Sequence, residues 1–384
     1  MRKLRIYFNT NALWSTSGYA QQALQIIPRI RDAGFPIAMG CFYGLEGGAL
    51  NIDNIKMYPK MGDAWGGDGM IYHAQDFKAD VVMSLQDIWV LNPEHLKQIK
   101  RWITILPVDH EPIPPAVLQR AKMAYRIVTY SKFGHKEIED AGLYSIYIPH
   151  SVETELFKPM DKKEAKKKLK IPEDIFLFGM VAANKDNPAR KGFQEVMDAF
   201  KMFHDIYPKS ALYFHTLLQQ QGGFPIEEYA GVLNIRPQIF FTPVYDILMR
   251  CDRQAMNNIY NAFDCLLNPS ANEGFGVPIA EAESCGVPVI VNDYTSMRDL
   301  VIHGKTGYKL KVYQRRFDPI GSFVAITDTK ELYNAMVDMY KADRVKMGEE
   351  ARKFIINEYD ASKIFNEKWK PFLKVLEDEI YGKV

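Results

Sequence analysis

Short apolar runs that read as strands alternate with helix-like segments along almost the whole chain, and no other property constrains the fold as much. The first series runs LRIYFN, a helix over about 20–32, PIAMGCFY, ADVVMSL, a helix around 93–100, WITILPVD, a helix from Pro115, RIVTYS, a helix over 132–140, and SIYIPH. Strands that are apolar throughout are those covered by helices on both faces, so the pattern predicts a doubly wound parallel sheet. A second series follows the charged connector DKKEAKKKLKIPED: IFLFGMVA, a helix over 193–207, SALYFHT, PQIFFTP, a helix over 252–262, DCLLNPS, and one more helix. At 384 residues the chain exceeds what a single core usually holds. The expected organisation is α/β with two Rossmann-like domains, 1–155 and 173–358, a linker over 156–172, and a closing helical segment over 359–384. The connector's lysines read as a solvated helix face.

Lys and Arg number 48 against 47 Asp and Glu, a formal net charge of +1, so no global field recruits polyanions. Cys41, Cys251, Cys265 and Cys285 are scattered without metal-ligand spacing and read as thiols of a reducing compartment. The basic start MRKLRIYFN runs straight into a strand with no small-residue cleavage site, and no apolar run approaches the roughly 20 residues that span a bilayer. A soluble, cytoplasmic protein with no transmembrane segment is expected; its oligomeric state is left open.

Residues 268–292 read NPSANEGFGVPIAEAESCGVPVIVN. Proline in the first helical turn and glycine just past the last one bound a helix, so the order is strand, glycine loop, helix, strand. That order aims the backbone N–H groups of Phe275, Gly276 and Val277 out of a helix N-terminus, toward anionic or hydroxyl oxygens. Glu273 stands in the loop, and Glu281, about two turns along, can reach a second part of one ligand. A second constellation, NKDNPARKG at 184–192, lies between strand IFLFGMVA and a helix. There Arg190 offers a planar fork and Lys191 a compact charge, a pairing suited to a diphosphate.

The 268–292 stretch resembles the E-x7-E signature of retaining glycosyltransferase family 4, and the variants PVDHEPIPP and NPARKGF also resemble those of phage-carried glycosyltransferases. The resemblance implies a GT-B fold: two Rossmann-like doubly wound domains facing a cleft, with the C-terminal helix crossing back to the N-terminal domain and Trp369 and Phe372 on its packed side. It implies transfer of a hexose from a nucleoside-diphosphate sugar, UDP- or GDP-linked, with retention of configuration. Glu273 would hold the sugar's hydroxyls, Glu281 the ribose, Arg190 and Lys191 the departing diphosphate, and His110 would touch the donor from the other domain. Ser17 and Gly18 stand where relatives carry a Gly-Gly pair. The base would be read largely by backbone around 241–245, which includes Pro243, and 148–159 would be the interdomain edge.

No Asp-x-Asp triplet occurs, so the usual carboxylate pair for a divalent metal is missing and no cofactor or metal is expected. No G-x-G-x-x-G or G-x-x-x-x-G-K-[ST] occurs either, which disfavours a dehydrogenase and a P-loop NTPase. Two alternatives keep the fold: a catalytically inactive nucleotide-sugar-binding protein, and a sugar phosphorylase or epimerase. For the acceptor, a glycan, a lipid and, less favoured, a modified DNA base stay open. The glycine-rich loop 61–70 around Trp65 is either a mobile acceptor lip or a solvated loop, and 313–317 (YQRRF) reads as a surface turn.

Overall fold

In the computed structural model the described residues are 2–186, 188–250 and 252–382. They form two compact units: 2–151 together with 361–382, and 152–360.

The first unit is built on β1 (Ile6–Asn11), β2 (Ile37–Tyr43), β3 (Leu50–Ile52), β4 (Ile55–Pro59), β5 (Val81–Leu85), β6 (Trp102–Leu106), β7 (Arg126–Thr129) and β8 (Ile146–Tyr147). Their order across the sheet is β3-β4-β2-β1-β5-β6-β7-β8. All pairs are parallel except β3 with β4. The interior strands β1 and β6 are buried along their whole length, as expected of a sheet with helices on both faces. The buried Trp102 Nε1 donates to Ser84 Oγ at 2.9 Å. The closing segment, ending in helix Lys370–Tyr381, belongs to this unit. Leu4 N–H donates to Glu377 Oε1 at 3.1 Å, Arg126 pairs with Glu379 at 3.1 Å, and Trp369 and Phe372 are buried.

The loop 61–70 is held by hydrogen bonds, with Met61 and Trp65 exposed. Asp68 accepts from the N–H groups of Gly62 and Asp63 and caps helix Gly69–Asp76. The Trp65 carbonyl receives Asn9 Nδ2 at 3.3 Å and Gln86 Nε2 at 3.2 Å.

The second unit carries β9 (Phe176–Val181), β10 (Ser210–His215), β11 (Ile239–Phe241), β12 (Cys265–Asn268), β13 (Val289–Asn292) and β14 (Gly307–Leu310), ordered β11-β10-β9-β12-β13-β14 and parallel throughout. Counted from its own first strand, this is the dinucleotide-fold order 3-2-1-4-5-6, whose reversal lies between β9 and β12. One face packs an aromatic core that includes Phe178, Phe193, Phe200, Phe203 and Phe214. The expected turn at 313–317 is instead strand β15 (Gln314–Asp318), antiparallel to β16 (Ser322–Ile326). Phe317 and Phe323 meet edge-on at 5.4 Å across that ladder, a cross-strand pair that a turn could not make.

The connector lysines also depart from expectation. Residues 162–168 form a helix inside the second unit, and Lys162 and Lys166, one turn apart, both turn inward to Asp264. Nζ to carboxylate distances are 3.0 and 2.9 Å, and Leu177 N–H adds a third bond at 2.9 Å. Burial pushes the Asp264 carboxyl up, but the two lysines and these bonds outweigh it and hold its pKa below the ordinary value. Lys163, Lys167 and Lys168 do face solvent.

Replacing Asp264 with Ala strands the buried Lys166 ammonium and is expected to cost about 3–5 kcal/mol of stability, read from the urea midpoint. The stabilisation is present above the ordinary carboxylate pKa and is lost as pH falls through the depressed folded value. A wild-type midpoint in the variant would overturn this account.

Candidate active site

The loops after β9 and β12 meet at the point where strand order reverses, where ligands of open α/β sheets bind. Lys191 from the first loop pairs with Glu273 Oε1 from the second, with side chains 15% and 12% exposed. Ser270 Oγ donates to the same carboxylate at 2.8 Å. Burial pushes the Glu273 carboxyl up, yet Lys191, Arg190 and these hydrogen bonds hold it below its usual range, so Glu273 is ionised at neutral pH. Arg190 Nη1 donates to the Asn272 carbonyl at 2.7 Å and Asn272 Oδ1 at 3.2 Å, and the Arg190 carbonyl accepts from Ala271 N–H at 2.7 Å. Gly192 makes the approach possible: its φ is +77°, and a Cβ there would lie 2.8 Å from the Pro269 carbonyl oxygen. Asn187, in the middle of the first loop, lies outside the described residues.

Small polar side chains that the sequence did not single out fix the second loop. Asn292 Nδ2, at the end of β13, donates to the carbonyls of Pro269 and Ser270 at 3.2 and 2.9 Å. Thr295 Oγ1 accepts from Glu273 N–H at 3.1 Å, and Ser296 Oγ donates to the Glu273 and Phe275 carbonyls at 2.7 and 3.0 Å. Their one legible signal was position, just beyond the C-terminal end of a parallel strand.

Helix Val277–Ser284 starts at Gly276, whose φ of +104° only glycine adopts readily. The N–H of Val277 has no intrahelical acceptor; Pro278 carries no N–H, and Ile279 and Ala280 donate to the Gly276 carbonyl at 3.0 and 3.3 Å. The Phe275 ring is buried edge-on against Tyr359 at 5.6 Å, so this residue can offer a ligand its backbone alone. Glu281 is also buried, and its Oε2 accepts from Tyr260 Oη at 2.8 Å. Burial pushes its carboxyl up to about 7, against the lowering effects of Tyr260 and Arg253. The two acids are therefore unlike in state: Glu273 is a paired anion and Glu281 a carboxyl near its midpoint. Pro243 precedes the short helix Val244–Met249 after β11, beside Thr242, whose Oγ1 lies 2.8 Å from Tyr213 Oη and 2.9 Å from His215 Nδ1.

In the first unit, Ser17 caps helix Gly18–Asp32 by accepting from Ala20 N–H at 3.1 Å, and it also receives Asn11 Nδ2 at 2.6 Å. Gly18 opens that helix with nothing within 4 Å of the position a Cβ would take. His110, after β6, is buried with Nδ1 2.6 Å from Asp109 Oδ1, a contact that orients the ring. His150 is stacked on Tyr130 at 3.7 Å, and burial pulls its pKa down to about 3, which suits a packing role. Among the described residues no group of three or more His, Cys, Asp or Glu side chains could hold a metal ion.

Two doubly wound parallel sheets, the second with charged loops joined at its reversal point, define an α/β protein of the GT-B class. Residues 161–316 match the family "Glycosyl transferases group 1", a stretch that lies within the second unit. An uncharacterised glycosyltransferase of Sulfolobus islandicus rod-shaped virus 1 is 23% identical over 169 residues, 43% of this chain and 47% of the viral one. The chain thus spans about half the length of that curated relative. Among solved structures, sucrose-phosphate synthase of Thermosynechococcus elongatus has a TM-score of 0.78 at 15% identity, covering 98% of this chain and 100% of the other. The Anabaena protein HepE in complex with UDP-glucose has a TM-score of 0.74 at 16% identity, covering 96% and 99%.

The raised Glu281 pKa has a stability consequence. The folded state binds the extra proton between the ordinary carboxylate pKa, about 4.3, and about 7. Its contribution is therefore complete below the unfolded value and is lost as pH rises through the folded one, a span on the order of 3 kcal/mol. Glu281→Gln should flatten the fall of the urea midpoint between pH 5 and 7.5. An unchanged slope would count against the burial of this carboxyl. Glu283, pushed up well above its usual range by burial, leaves a residual slope of the same sign.

Proposed function

We propose that the protein is a retaining glycosyltransferase that moves a hexose from a UDP- or GDP-linked donor to an acceptor hydroxyl without a resident metal. The observation that carries this reading is the Lys191–Glu273 pair, backed by Arg190, at the reversal point of the second unit's sheet. A diphosphate there would draw on the Lys191 ammonium, the Arg190 fork and the Val277 amide at the start of helix Val277–Ser284, an electrostatic role of the oxyanion-hole kind. The same ionised Glu273 would accept hydrogen bonds from donor-sugar hydroxyls. Glu281, half-protonated near neutrality, could accept from or donate to a ribose hydroxyl.

In the proposed reaction the bond from the anomeric carbon to the diphosphate oxygen breaks as the acceptor oxygen bonds to the same face. The departing diphosphate takes the acceptor's proton, so no strong protein base is needed. His110, oriented by Asp109, would contribute a contact to sugar or diphosphate, Ser17 and Gly18 would approach the phosphates, and backbone near Pro243 would read the base. A UDP-glucose complex of a protein with the same fold supports a donor of this kind. The buried thiols of Cys41, Cys265 and Cys285 suit a reducing, cytoplasmic setting; Cys251 lies outside the described residues. No helix among the described residues is long and apolar enough to cross a membrane.

The test is transfer and donor hydrolysis with a panel of UDP- and GDP-sugars, with and without EDTA, with the anomeric configuration of the product read by NMR. Retention and insensitivity to EDTA are expected. Lys191→Ala and Glu273→Gln should each lower turnover by about 10²-fold or more, with separate UDP and GDP thermal shifts reporting which base the folded variants hold. Full turnover in either variant, or donor binding without any transfer or hydrolysis, would sink the reading.

A further inference from the structure

Between β14 and helix Thr329–Lys341 the chain makes the ribbon of β15 and β16, whose two strands differ in surroundings. β15 is exposed over 314–317, whereas Ser322, Val324 and Ala325 of β16 are buried. In an antiparallel pair every second residue turns its N–H and C=O away from the partner strand. On β16 Phe323 and Ala325 are such residues, and their outward groups are bonded elsewhere. The Phe323 carbonyl accepts from Tyr294 Oη at 2.9 Å, and Ala325 N–H donates to the Ala271 carbonyl at 2.9 Å. Two residues further on, Thr327 Oγ1 donates to the Pro269 carbonyl at 3.0 Å. The free edge of β16 is therefore taken up by Tyr294 and by the loop that carries Glu273.

Proton accounting gives the Thr327 hydroxyl a direction. Asn292 Nδ2 donates to Thr327 Oγ1 at 2.8 Å, so the single hydroxyl proton goes to Pro269. Asn292 and Thr327 are both buried, where an unpaired donor or acceptor is costly. The loop is gripped from another side as well, since Ala271 N–H donates to the Arg190 carbonyl at 2.7 Å. Ser270, between the two held residues, donates to Glu273 Oε1 at 2.8 Å. Residues 269–271 are thus a platform whose position decides where the Glu273 carboxylate stands, and β16 with Thr327 supports it.

Packing alone is a poor account of this ribbon. One of its two strands lies largely in water and buries little apolar area. Its inner edge, by contrast, directs an amide and a hydroxyl at two carbonyls of one loop.

Resting on the transferase reading above, we propose that Thr327 is a positioning residue for the transfer step, acting with the β16 backbone through 269–271 on Glu273. It touches no substrate. Lys191 and Arg190 would hold the diphosphate without it, so Thr327 governs where the donor sugar sits and not how tightly the nucleotide is held.

The test is steady-state transfer and donor hydrolysis with the UDP- and GDP-sugars above, in Thr327→Val, Thr327→Ser and, as a control on the exposed strand, Arg315→Ala. Valine keeps the shape and removes the hydroxyl; serine keeps the hydroxyl. In Thr327→Val kcat is expected to fall about tenfold to 10²-fold, the scale of a small misplacement near a reacting centre. KM for the donor and the thermal shifts with UDP and GDP should stay at wild-type values. Thr327→Ser should recover most of the loss, and Arg315→Ala should match the wild type. Wild-type kcat in Thr327→Val, a loss carried by KM instead, or a loss that serine does not restore would overturn the inference. If the thermal midpoint shows that Thr327→Val is unfolded, Tyr294→Phe, which removes the bond to the Phe323 carbonyl on the same edge, is read by the same split between kcat and KM. A wild type that neither transfers nor hydrolyses any donor overturns the transferase reading itself; wild-type turnover matched by Thr327→Val overturns this inference alone.

Discussion

The ion pair between Lys191 and Glu273 is the interaction on which the paired loops of the second unit rest. It joins two loops 82 residues apart in sequence, and both charges are largely removed from water. Neither ion could be kept at that depth alone, because an unpaired buried charge costs several kcal/mol. The surrounding polar groups follow from the pair. Gly192 lets the first loop close on Pro269, Arg190 grips the Asn272 backbone, and Asn292 and Ser296 hold the second loop from behind. Glu273 is thereby set as an anion before any ligand arrives, which is the preorganisation that electrostatic catalysis requires.

Much of this was legible in the sequence because parallel strands buried on both faces leave a local signature. Apolar runs such as IFLFGMVA and the shorter CLL announced β9 and β12, and the proline and glycine around IAEAESC bounded the helix that carries Glu281. What escaped depends on partners remote in sequence. Lys162 and Lys166 look like any solvated lysines until folding brings Asp264 beneath them, about a hundred residues later. The ladder at 314–318 has exposed, charged positions with little periodicity, and only its partner strand makes it a strand. Helix Gly69–Asp76 begins among glycines of low helical propensity and owes its start to the Asp68 carboxylate. Asn292, Thr295 and Ser296 carry no pattern at all; their importance lies in carbonyl and amide groups that the strand order places within reach.

The net charge of +1 conceals an uneven distribution. The reversal point of the second unit concentrates a guanidinium and an ammonium against one carboxylate, whereas the corresponding loops of the first unit are dominated by acids. Composition alone does not show this difference. Two sheets of similar winding are thus given different electrostatic character by a few loop residues, as expected when function is grafted onto a fold.

The first unit is discontinuous, since residues 361–382 return to it after the whole of the second has been threaded through. During synthesis the ribosome therefore releases a complete second unit before the first has its last helix, reversing the usual order in which the N-terminal domain matures first. Until then Leu4 lacks the Glu377 acceptor and Arg126 lacks Glu379. The nascent first sheet must wait, partly uncovered, for residues 361–382.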